Sequence, residues 1–349
     1  MAGPSRERIE LGKKRVRNVL RKYTLANLRT LENKICDAGP TNQRIDPHVL
    51  TIAKKELTDA GELEMYSPAP GKNDIPWFYL AGTPELDLKN RYDELEPIHR
   101  ATVDPSFTKR IGQTMEIAVS RALQERADLY STGHYSDLNE HRDDKPYSKD
   151  EPPSIVGSLA IPGKKKLDFE IFTETAGVVG IEVKNIREWI YVNRIEVTDM
   201  LSKCCALNAV PVLIARRIAY ETFSVLNACG VLIHQTYNQL YPKADEELAS
   251  KVREKRLLGY HDVRVGNDPD ARLKKFLQVN LPNLWDEARE KFEEHKELLC
   301  GFGNKAVSYK ELVGKVRGRK GEKLEARKAF DIARAMESAV PPEEDEGEE

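Results

Sequence analysis

Three residues with chemically useful side chains lie in two neighbouring apolar segments of the chain. Asp168 lies in the first segment, and Glu182 and Lys184 lie in the second. Both segments predict β-strands, and successive side chains of a strand point to opposite faces. Glu182 and Lys184 therefore share one face. A hairpin centred near Thr175 would place Asp168 opposite Glu182 on that same face.

Two carboxylates and one ammonium group on a largely covered sheet face indicate a particular chemistry. Burying such groups without partners is costly, and a metal ion that bridges the carboxylates would remove that cost. Mg²⁺ prefers oxygen ligands and binds through one or two carboxylates with phosphate and water, and Mn²⁺ accepts similar ligands. A neighbouring lysine would polarise the attacking water or stabilise charge on the phosphate. The pattern fits phosphodiester hydrolysis. A charged strand face open to solvent is the alternative.

The surrounding sequence predicts the elements that would position these residues. The predicted elements are a helix at about 106–126, strands at 155–161, 167–172 and 178–184, a helix at about 195–208, a strand at 211–215, a helix at about 220–228 and a strand at 230–235. Apolar runs in the last two strands are typical of parallel strands covered on both faces. A polar stretch at 131–153 is interpreted as an exposed insertion. The order αβββαβ predicts an α/β core over residues 90–242.

This arrangement resembles the PD-(D/E)xK, or restriction-endonuclease-like, nuclease superfamily. The signature of that family is an acid on the second core strand and an acid-x-Lys triplet on the third. Asp168 and the triplet from Glu182 to Lys184 occupy those positions, with Leu167 where the signature has proline, a departure common in the family. The resemblance covers residues 106–235.

The resemblance implies a Mg²⁺-dependent endonuclease that cuts DNA, duplex or branched. It also implies a role for a glutamate on the first core helix, and Glu116 lies at the edge of the apolar stripe of that helix. Asp168, Glu182 and Glu116 would then hold Mg²⁺, with Mn²⁺ as a substitute, and Lys184 would assist the attacking water. A solvent-facing helix residue is the alternative interpretation of Glu116.

Residues 1–85 predict a second, smaller unit. The predicted elements are a helix over about 25–35, a helix from Asp46 to Gly61 and two short strands at 63–66 and 77–81. The stretch 41–45 leaves little room for a complete middle helix. The order helix, helix, hairpin resembles a winged helix-turn-helix domain, and the resemblance implies that this unit binds DNA.

Candidate DNA contacts in this unit lie on the polar face of the second predicted helix. His48, Thr51 and Lys55 share that face and would read bases in the major groove. The alternative is a polar helix face that contacts a partner domain. Residues 5–22 hold eight lysines and arginines, which would contact phosphates.

Other polar residues surround the predicted cutting site. Lys164, Lys165 and Lys166 precede Asp168 and would hold a phosphate backbone, with a solvated turn as the alternative. Four residues after the lysine would line a substrate groove, with Trp189 and Tyr191 as core residues in the alternative: Asn185, Arg187, Trp189 and Tyr191. Gln235, Asn238 and Gln239 lie near the carboxyl edge of the sheet, where α/β sites cluster, with polar loop residues as the alternative. Arg216 and Arg217 would bind phosphate or cap a strand end. His234 lies in an apolar strand and is interpreted as a core histidine.

Composition constrains the chain more weakly than these motifs do. The chain has 349 residues, of which 40% are hydrophobic and 32% are charged, and its net charge is −2. Charge is nevertheless segregated along the chain, which favours basic contact surfaces and an acidic tail. We expect a charged helical extension over residues 243–335 and a disordered acidic tail over 336–349.

The five cysteines form no CxxC pair and no cluster with zinc spacing, so we interpret them as reduced, mostly buried thiols. The first residues are too basic and polar for a signal peptide, and no apolar run approaches the roughly 20 residues of a membrane span. We therefore expect a cytoplasmic protein with no membrane partner. A homodimer is compatible with the sequence.

Taken together, these patterns predict a DNA endonuclease in which a winged-helix-like reader is joined to a PD-(D/E)xK nuclease core. Two alternatives stay open: a DNA-binding regulator whose nuclease fold does not cut, and an RNA-processing nuclease. The presence of Asp168, Glu182 and Lys184 together favours an enzyme over the regulator. A winged helix favours duplex DNA over RNA.

Overall fold

The computed structural model of the chain describes residues 4–38, 44–68, 75–126, 128–136, 138, 143–163 and 165–318. Its helices are α1 (Arg6–Tyr23), α2 (Leu28–Glu32), α3 (Pro47–Asp59), α4 (Glu85–Val103), α5 (Pro105–Gln124), α6 (Ile195–Ala206), α7 (Tyr220–Ala228), α8 (Glu246–Arg253), α9 (Ala271–Lys275), α10 (Leu281–Gly303) and α11 (Tyr309–Gly318). Its strands are β1 (Ala26–Asn27), β2 (Leu63–Tyr66), β3 (Trp77–Leu80), β4 (Tyr130–Thr132), β5 (Ile155–Val156), β6 (Leu159–Ala160), β7 (Phe169–Thr173), β8 (Gly177–Lys184), β9 (Val210–Ala215), β10 (Leu232–Gln235), β11 (Gln239–Tyr241) and β12 (Val263–Val265). The mixed α/β class expected from the sequence is confirmed.

The chain divides into two compact units. The first comprises residues 1–108 and 245–265, and the second comprises 109–244 and 266–349. The first unit therefore includes α4 and α8 as well as the predicted segment 1–85. The second unit contains the residues of the predicted cutting site.

Residues 1–85 of the first unit combine the helices α1, α2 and α3 with a three-stranded antiparallel sheet of order β1-β3-β2. Helix α1 buries the stripe Ile9, Gly12, Val16 and Leu20. A Cβ at Gly12 would lie 3.1 Å from the Cβ of Ala53, so glycine allows α1 to pack closely on α3. The prediction lacked a first helix, because the basic segment 5–22 was considered only for its charge.

The local signals of α3 agree with the structure. The Asp46 side chain accepts a hydrogen bond from the backbone N–H of His48 at 2.8 Å, and Pro47 occupies the first helical position. The helix predicted over 25–35 instead begins as the short strand β1, continues as α2 and ends in a π-helical turn, Asn33–Asp37. It supplies the middle helix that the stretch 41–45 could not.

The second unit is built on a five-stranded mixed sheet of order β10-β9-β8-β7-β4. Strand β7 pairs antiparallel with both β4 and β8, whereas β8 pairs parallel with β9, and β9 pairs parallel with β10. The connections from β8 to β9 and from β9 to β10 run through α6 and α7.

Two apolar layers cover this sheet. Phe169, Ile171, Ile181 and Val183 pack in the layer that contains α5, as their alternation predicted. The opposite layer contains apolar residues of α6, α7, α10 and α11. Strand β8 approaches α6 closely at Gly180, where a Cβ would lie only 3.0 Å from the sulfur of Cys204 in α6 and 2.7 Å from Leu167.

One predicted core strand is wrong. The segment 155–161 does not join the central sheet but forms the separate two-stranded hairpin β5-β6, because the chain turns at Gly157, whose φ is +60°. The edge of the central sheet is β4 instead, in which Thr132 pairs with Glu170. The stretch 131–153, interpreted as an exposed insertion, therefore starts inside the sheet.

The interpretation of all five cysteines as free thiols is also wrong. Cys205 of α6 and Cys300 of α10 form a disulfide with Cα atoms 5.6 Å apart, within the usual range for such a bond. Cys36, Cys204 and Cys229 are buried and take no part in this disulfide. The bonded cysteines are 95 residues apart, so their proximity depends on helix packing that the sequence spacing does not reveal.

The predicted extension 243–335 is helical over most of the part that the structure describes, which ends at residue 318. The predicted acidic tail, 336–349, lies outside the described residues. Within the described ranges, no helix is both long and apolar enough to cross a membrane.

Candidate active site

The β7-β8 hairpin brings together the three residues singled out from the sequence. Asp168 directly precedes β7, and its backbone N–H donates to the carbonyl of Ile181 at 3.1 Å. Its carboxylate Oδ2 accepts a hydrogen bond of 2.7 Å from the backbone N–H of Val183. One oxygen of Asp168 is therefore fixed against the strand that carries Glu182 and Lys184.

Lys184 links the two carboxylates of the hairpin. Its Nζ lies 2.7 Å from Oε1 of Glu182 and 3.6 Å from Oδ2 of Asp168. The Glu182 side chain is only 4% exposed, whereas Lys184 and Asp168 keep 22% and 18% of their side-chain surface. The cluster is therefore buried on the Glu182 side and reaches solvent on the side of Asp168 and Lys184.

Glu116 of α5 reaches the same cluster through a residue that the sequence did not single out. Lys149 Nζ lies 2.5 Å from Oε2 of Glu116 and 4.0 Å from Oδ1 of Asp168. The hydroxyl of Tyr135 also donates to Oε2 of Glu116, at 2.8 Å. Because Glu116 is held by two buried partners, its interpretation as a solvent-facing helix residue is wrong.

Tyr135 and Lys149 both come from the stretch that was interpreted as an insertion. They pair in an isolated antiparallel bridge, and the N–H of Asp150 donates to the carbonyl of His134 at 2.7 Å. Neither residue belongs to an element with a clear hydrophobic period, so no pattern in the sequence indicated that they would meet Glu116.

A third lysine approaches from α6. Lys203 Nζ lies 3.0 Å from both carboxylate oxygens of Glu182 and 2.9 Å from Oδ2 of Asp199. Asp199 in turn contacts Lys165 at 2.5 Å. The spacing of Asp199 and Lys203, four residues apart on a helix that follows the acid-x-Lys strand, is a signal that could have identified the pair.

The three predicted phosphate-binding lysines have different surroundings. Lys165 is exposed but engaged with Asp199, and Lys166 is exposed. Lys164 lies outside the described residues. The turn before Asp168 is thus partly tied to α6 through an ion pair.

Burial and mutual repulsion alter the acidity of the carboxylates in the cluster. Burial, assisted by the charge of Asp168, raises the pKa of Glu182 to about 6 against the opposing effect of Lys184 and Lys203. Burial and Asp168 also raise the pKa of Glu116, although Lys149 counteracts them. Burial alone would lower the pKa of Lys184, but Asp168 and Glu182 outweigh it and raise that pKa. Burial therefore disfavours the ionised form of both glutamates, whereas Lys184 stays protonated.

The donor chemistry of this cluster suits a hard divalent cation, but ammonium groups hold the acids. Glu116, Asp168 and Glu182 offer carboxylate oxygens, the ligand type that Mg²⁺ and Mn²⁺ prefer. Their oxygens face the nitrogens of Lys149, Lys184 and Lys203 rather than a shared space. Accordingly, within the described parts of the chain, no three histidine, cysteine, aspartate or glutamate residues are grouped to hold a metal ion. A metal would have to replace at least one ammonium contact.

Glu170 lies on the same strand but outside the ion-pair cluster. Its side chain is fully buried, and its two carboxylate oxygens accept no hydrogen bond from a described residue. Burial raises the pKa of Glu170 to about 7. Among the described residues, no lysine contacts the Glu170 carboxylate, whereas lysines contact Glu116 and Glu182.

The other polar candidates of the second unit have structural contacts. The Asn185 side chain donates to the carbonyls of Ile111 and Leu240 at 2.6 and 2.7 Å. Arg187 donates to the Gln239 side chain at 3.3 Å. Arg216 donates to the Arg187 carbonyl, Gln235 accepts from the Ile218 N–H, and Arg217 lies over the rings of Tyr237 and Trp189. These contacts tie together the loops after β8, β9 and β10.

His234 is a core residue, as expected. Its ring is buried and stacks on Phe276 with centroids 4.6 Å apart. Burial lowers the pKa of His234 to about 3, so the ring is neutral near pH 7.

In the first unit, His48, Thr51 and Lys55 form an exposed face of α3, as predicted. The Thr51 hydroxyl donates to the carbonyl of Pro47 at 3.0 Å, and Lys55 pairs with Asp59 at 2.6 Å. His48 and Thr51 are therefore the residues of this face that carry no charged partner among the described residues.

The basic segment 5–22 is only partly available to a ligand. Arg6, Lys13 and Arg17 form ion pairs within the unit, with Glu10, Glu56 and Glu62 as their partners. Lys14, Arg21 and Lys22 are exposed and form no ion pair with another described residue. Phosphate contacts from α1 would therefore come mainly from these three side chains.

No protein-family model, curated protein or solved structure matches this chain. Function has to be argued from the geometry of the site and its chemistry.

Proposed function

We propose that this chain is a metal-dependent nuclease of the PD-(D/E)xK type that hydrolyses phosphodiester bonds in DNA. The observation that carries the proposal is the convergence of Asp168, Glu182 and Lys184 on one hairpin, with Glu116 of the preceding helix beside them. The sheet around them supports it, because an antiparallel hairpin followed by parallel β8 and β9 with a helical crossover is the order expected for that family.

The carboxylates of Asp168, Glu182 and Glu116 would hold Mg²⁺, with Mn²⁺ as a substitute. When bound, the metal would supply positive charge that activates water and stabilises the leaving oxygen. Two of these acids have anchoring contacts within the protein. Glu182 is anchored by Lys203 of α6, and Asp168 by the Val183 N–H, so both are held in place before a ligand arrives.

Lys184 would act on the phosphate itself. Its ammonium group stays protonated and lies at the solvent-facing side of the cluster, within 3.6 Å of Asp168 and 2.7 Å of Glu182. From there it can donate to a non-bridging phosphate oxygen and stabilise the charge that develops during attack by water. The P–O bond to the water oxygen would form as the bond to the leaving oxygen breaks. The water would lose its proton to solvent, and the leaving oxygen would take a proton from solvent.

The first unit would bind the duplex. Three helices, a sheet of order β1-β3-β2 and a β2-β3 hairpin after α3 support a winged-helix-like arrangement, in which α3 would enter the major groove. His48 and Thr51 on its exposed face would contact bases, and Lys14, Arg21 and Lys22 of α1 would contact phosphates.

A regulator that binds DNA without cutting is the second candidate. The observation that favours it is the set of ammonium groups that neutralise the carboxylates, since an ion-paired cluster can also serve only to stabilise the fold. The two candidates differ in whether Mg²⁺ produces any strand breakage.

The deciding experiment incubates the full chain with plasmid DNA, branched DNA and RNA in Mg²⁺, Mn²⁺, Ca²⁺ or EDTA. We expect DNA breakage that requires Mg²⁺ or Mn²⁺, that is lost in Asp168→Asn, and that is retained in the surface control Lys274→Ala. Cleavage in excess EDTA would refute the metal mechanism, cleavage of RNA alone would replace the substrate, and binding without any cleavage would favour the regulator.

A further inference from the structure

Lys149 is a buried ammonium group between two of the proposed metal ligands. Its side chain is 6% exposed, and its Nζ lies 2.5 Å from Glu116 and 4.0 Å from Asp168. The rings of Phe169 and Tyr135 lie 4.8 and 5.6 Å from the same nitrogen. The only anionic groups that it meets among the described residues are therefore the two carboxylates that a divalent cation would need.

The cluster is electrically balanced without a metal. Glu116, Asp168 and Glu182 supply three negative charges, and the three lysines at 149, 184 and 203 supply three positive ones. A divalent cation added to this set would leave an excess of two positive charges in a largely buried place, which is unfavourable. Either a lysine must move away or an anion must enter.

The three lysines are not equally free to move. Lys203 contacts both Glu182 and Asp199, and it lies on α6, which packs in an apolar layer of the sheet. Lys149 is attached to an irregular segment by an isolated bridge and has four flexible methylene groups. A phosphate oxygen near the metal would give the Lys149 ammonium a new anionic partner when it leaves Glu116 and Asp168.

We propose that Lys149 competes with the divalent metal for Glu116 and Asp168, so that metal and phosphodiester bind cooperatively. This inference rests on the proposed nuclease function and specifies how its site is regulated. The free protein would bind metal weakly, and a nucleic acid phosphate would strengthen that binding by attracting Lys149. By linkage, the metal must strengthen nucleic acid binding by the same factor.

The direct test measures Mn²⁺ binding to the full chain without nucleic acid, by electron paramagnetic resonance of free Mn²⁺. Lys149→Met should bind Mn²⁺ about tenfold or more tightly than the parent, because the repelling charge is gone and the apolar chain is kept. The control Lys274→Met removes an exposed lysine paired with Glu125 and should match the parent. Equal or weaker Mn²⁺ binding by Lys149→Met would overturn the proposal.

A second measurement uses the parent protein alone, so it does not depend on the variant folding. Acetic anhydride labelling read by mass spectrometry should modify Lys149 poorly in the free protein and several times faster once Mn²⁺ and a short DNA duplex are both bound. Lys149 labelling that stays unchanged under conditions where Mn²⁺ binding is measured would refute the displacement.

The two proposals can fail separately. If the parent cleaves DNA with Mg²⁺ but Lys149→Met gains no metal affinity, only the competition is wrong. If neither the parent nor Lys149→Met binds Mn²⁺ with or without DNA, the metal-dependent nuclease itself is refuted.

Discussion

Replacing Lys203 by methionine should destabilise the second unit without exposing its core. Lys203 is 8% exposed and holds both oxygens of Glu182 at 3.0 Å. Removing one partner of a buried ion pair costs about 3–5 kcal/mol when the remaining charge has no other partner. Glu182 keeps Lys184 at 2.7 Å, and Asp199 keeps Lys165 at 2.5 Å, so the loss should be smaller. We expect the free energy of unfolding to fall by about 2–3 kcal/mol.

Urea unfolding of the full chain, followed by circular dichroism, measures this loss. The matched control is Lys165→Met, which removes an ammonium group that is 59% exposed and paired with the same Asp199. Exposed ion pairs contribute about 0–1 kcal/mol, so the control should change the free energy of unfolding little.

A double-mutant cycle with Glu182→Gln separates the ion pair from simple packing. Glu182→Gln removes the charge that Lys203 offsets. The double variant should therefore lose about 1–2 kcal/mol less free energy of unfolding than the two single variants lose in total. Losses that simply add, or a Lys203→Met variant as stable as Lys165→Met, would refute the view that Lys203 positions Glu182.

Three further predictions concern catalysis, pH and redox state. Lys184→Ala should bind DNA nearly as well as the parent but cleave it about a hundred- to a thousandfold more slowly, because its charge acts mainly in the transition state; parallel losses of binding and cleavage in a gel assay would contradict this. Burial lowers the pKa of His99 from 6.5 to about 4, so the unfolded chain binds the extra proton between these values, and stability should fall as pH drops from 6.5 to 4. His99→Phe should remove about 2 kcal/mol of that acid-induced loss, measured as unfolding free energy at pH 7 and pH 4.5, and an unchanged pH dependence would show that His99 is not responsible. Cys205→Ser should lower the free energy of unfolding by about 2–4 kcal/mol and abolish any effect of dithiothreitol on it, whereas a response that persists in the variant would rule out the Cys205–Cys300 bond as its origin.

The parts of the fold that the sequence predicted follow local rules. The cap Asp46-Pro47 predicted the start of α3, and the alternation of Phe169 and Ile171 against Asp168 predicted which residues of β7 share the apolar layer of α5. These signals depend on residues within a few positions of one another, so tertiary packing does not override them.

The missed parts depend on contacts between distant segments. Strand β4 has three residues, too few for alternation to be recognised, and it is a strand because β7 pairs with it. Lys149 meets Glu116 across 33 residues of chain, through an isolated bridge to Tyr135. Helix α1 is a different case, since its stripe at Ile9 and Val16 has helical spacing that the surrounding charges concealed.

The pairing of acids with lysines explains how such a site can fold before it binds a ligand. Each of Glu116 and Glu182 has a lysine from another part of the chain, and Lys184 serves Asp168 from the same hairpin. The burial cost of three carboxylates is therefore offset within the protein, and folding does not require a metal. The same pairing would oppose metal binding, because an ammonium contact that occupies a metal-binding oxygen would have to be weakened when a cation enters. Lys203 of α6 could keep its contact with Glu182, whereas Lys149 occupies the contact that a cation would need. Replacing Lys149 should therefore lower stability but raise metal affinity. Replacing Lys203 should lower stability with little effect on metal affinity.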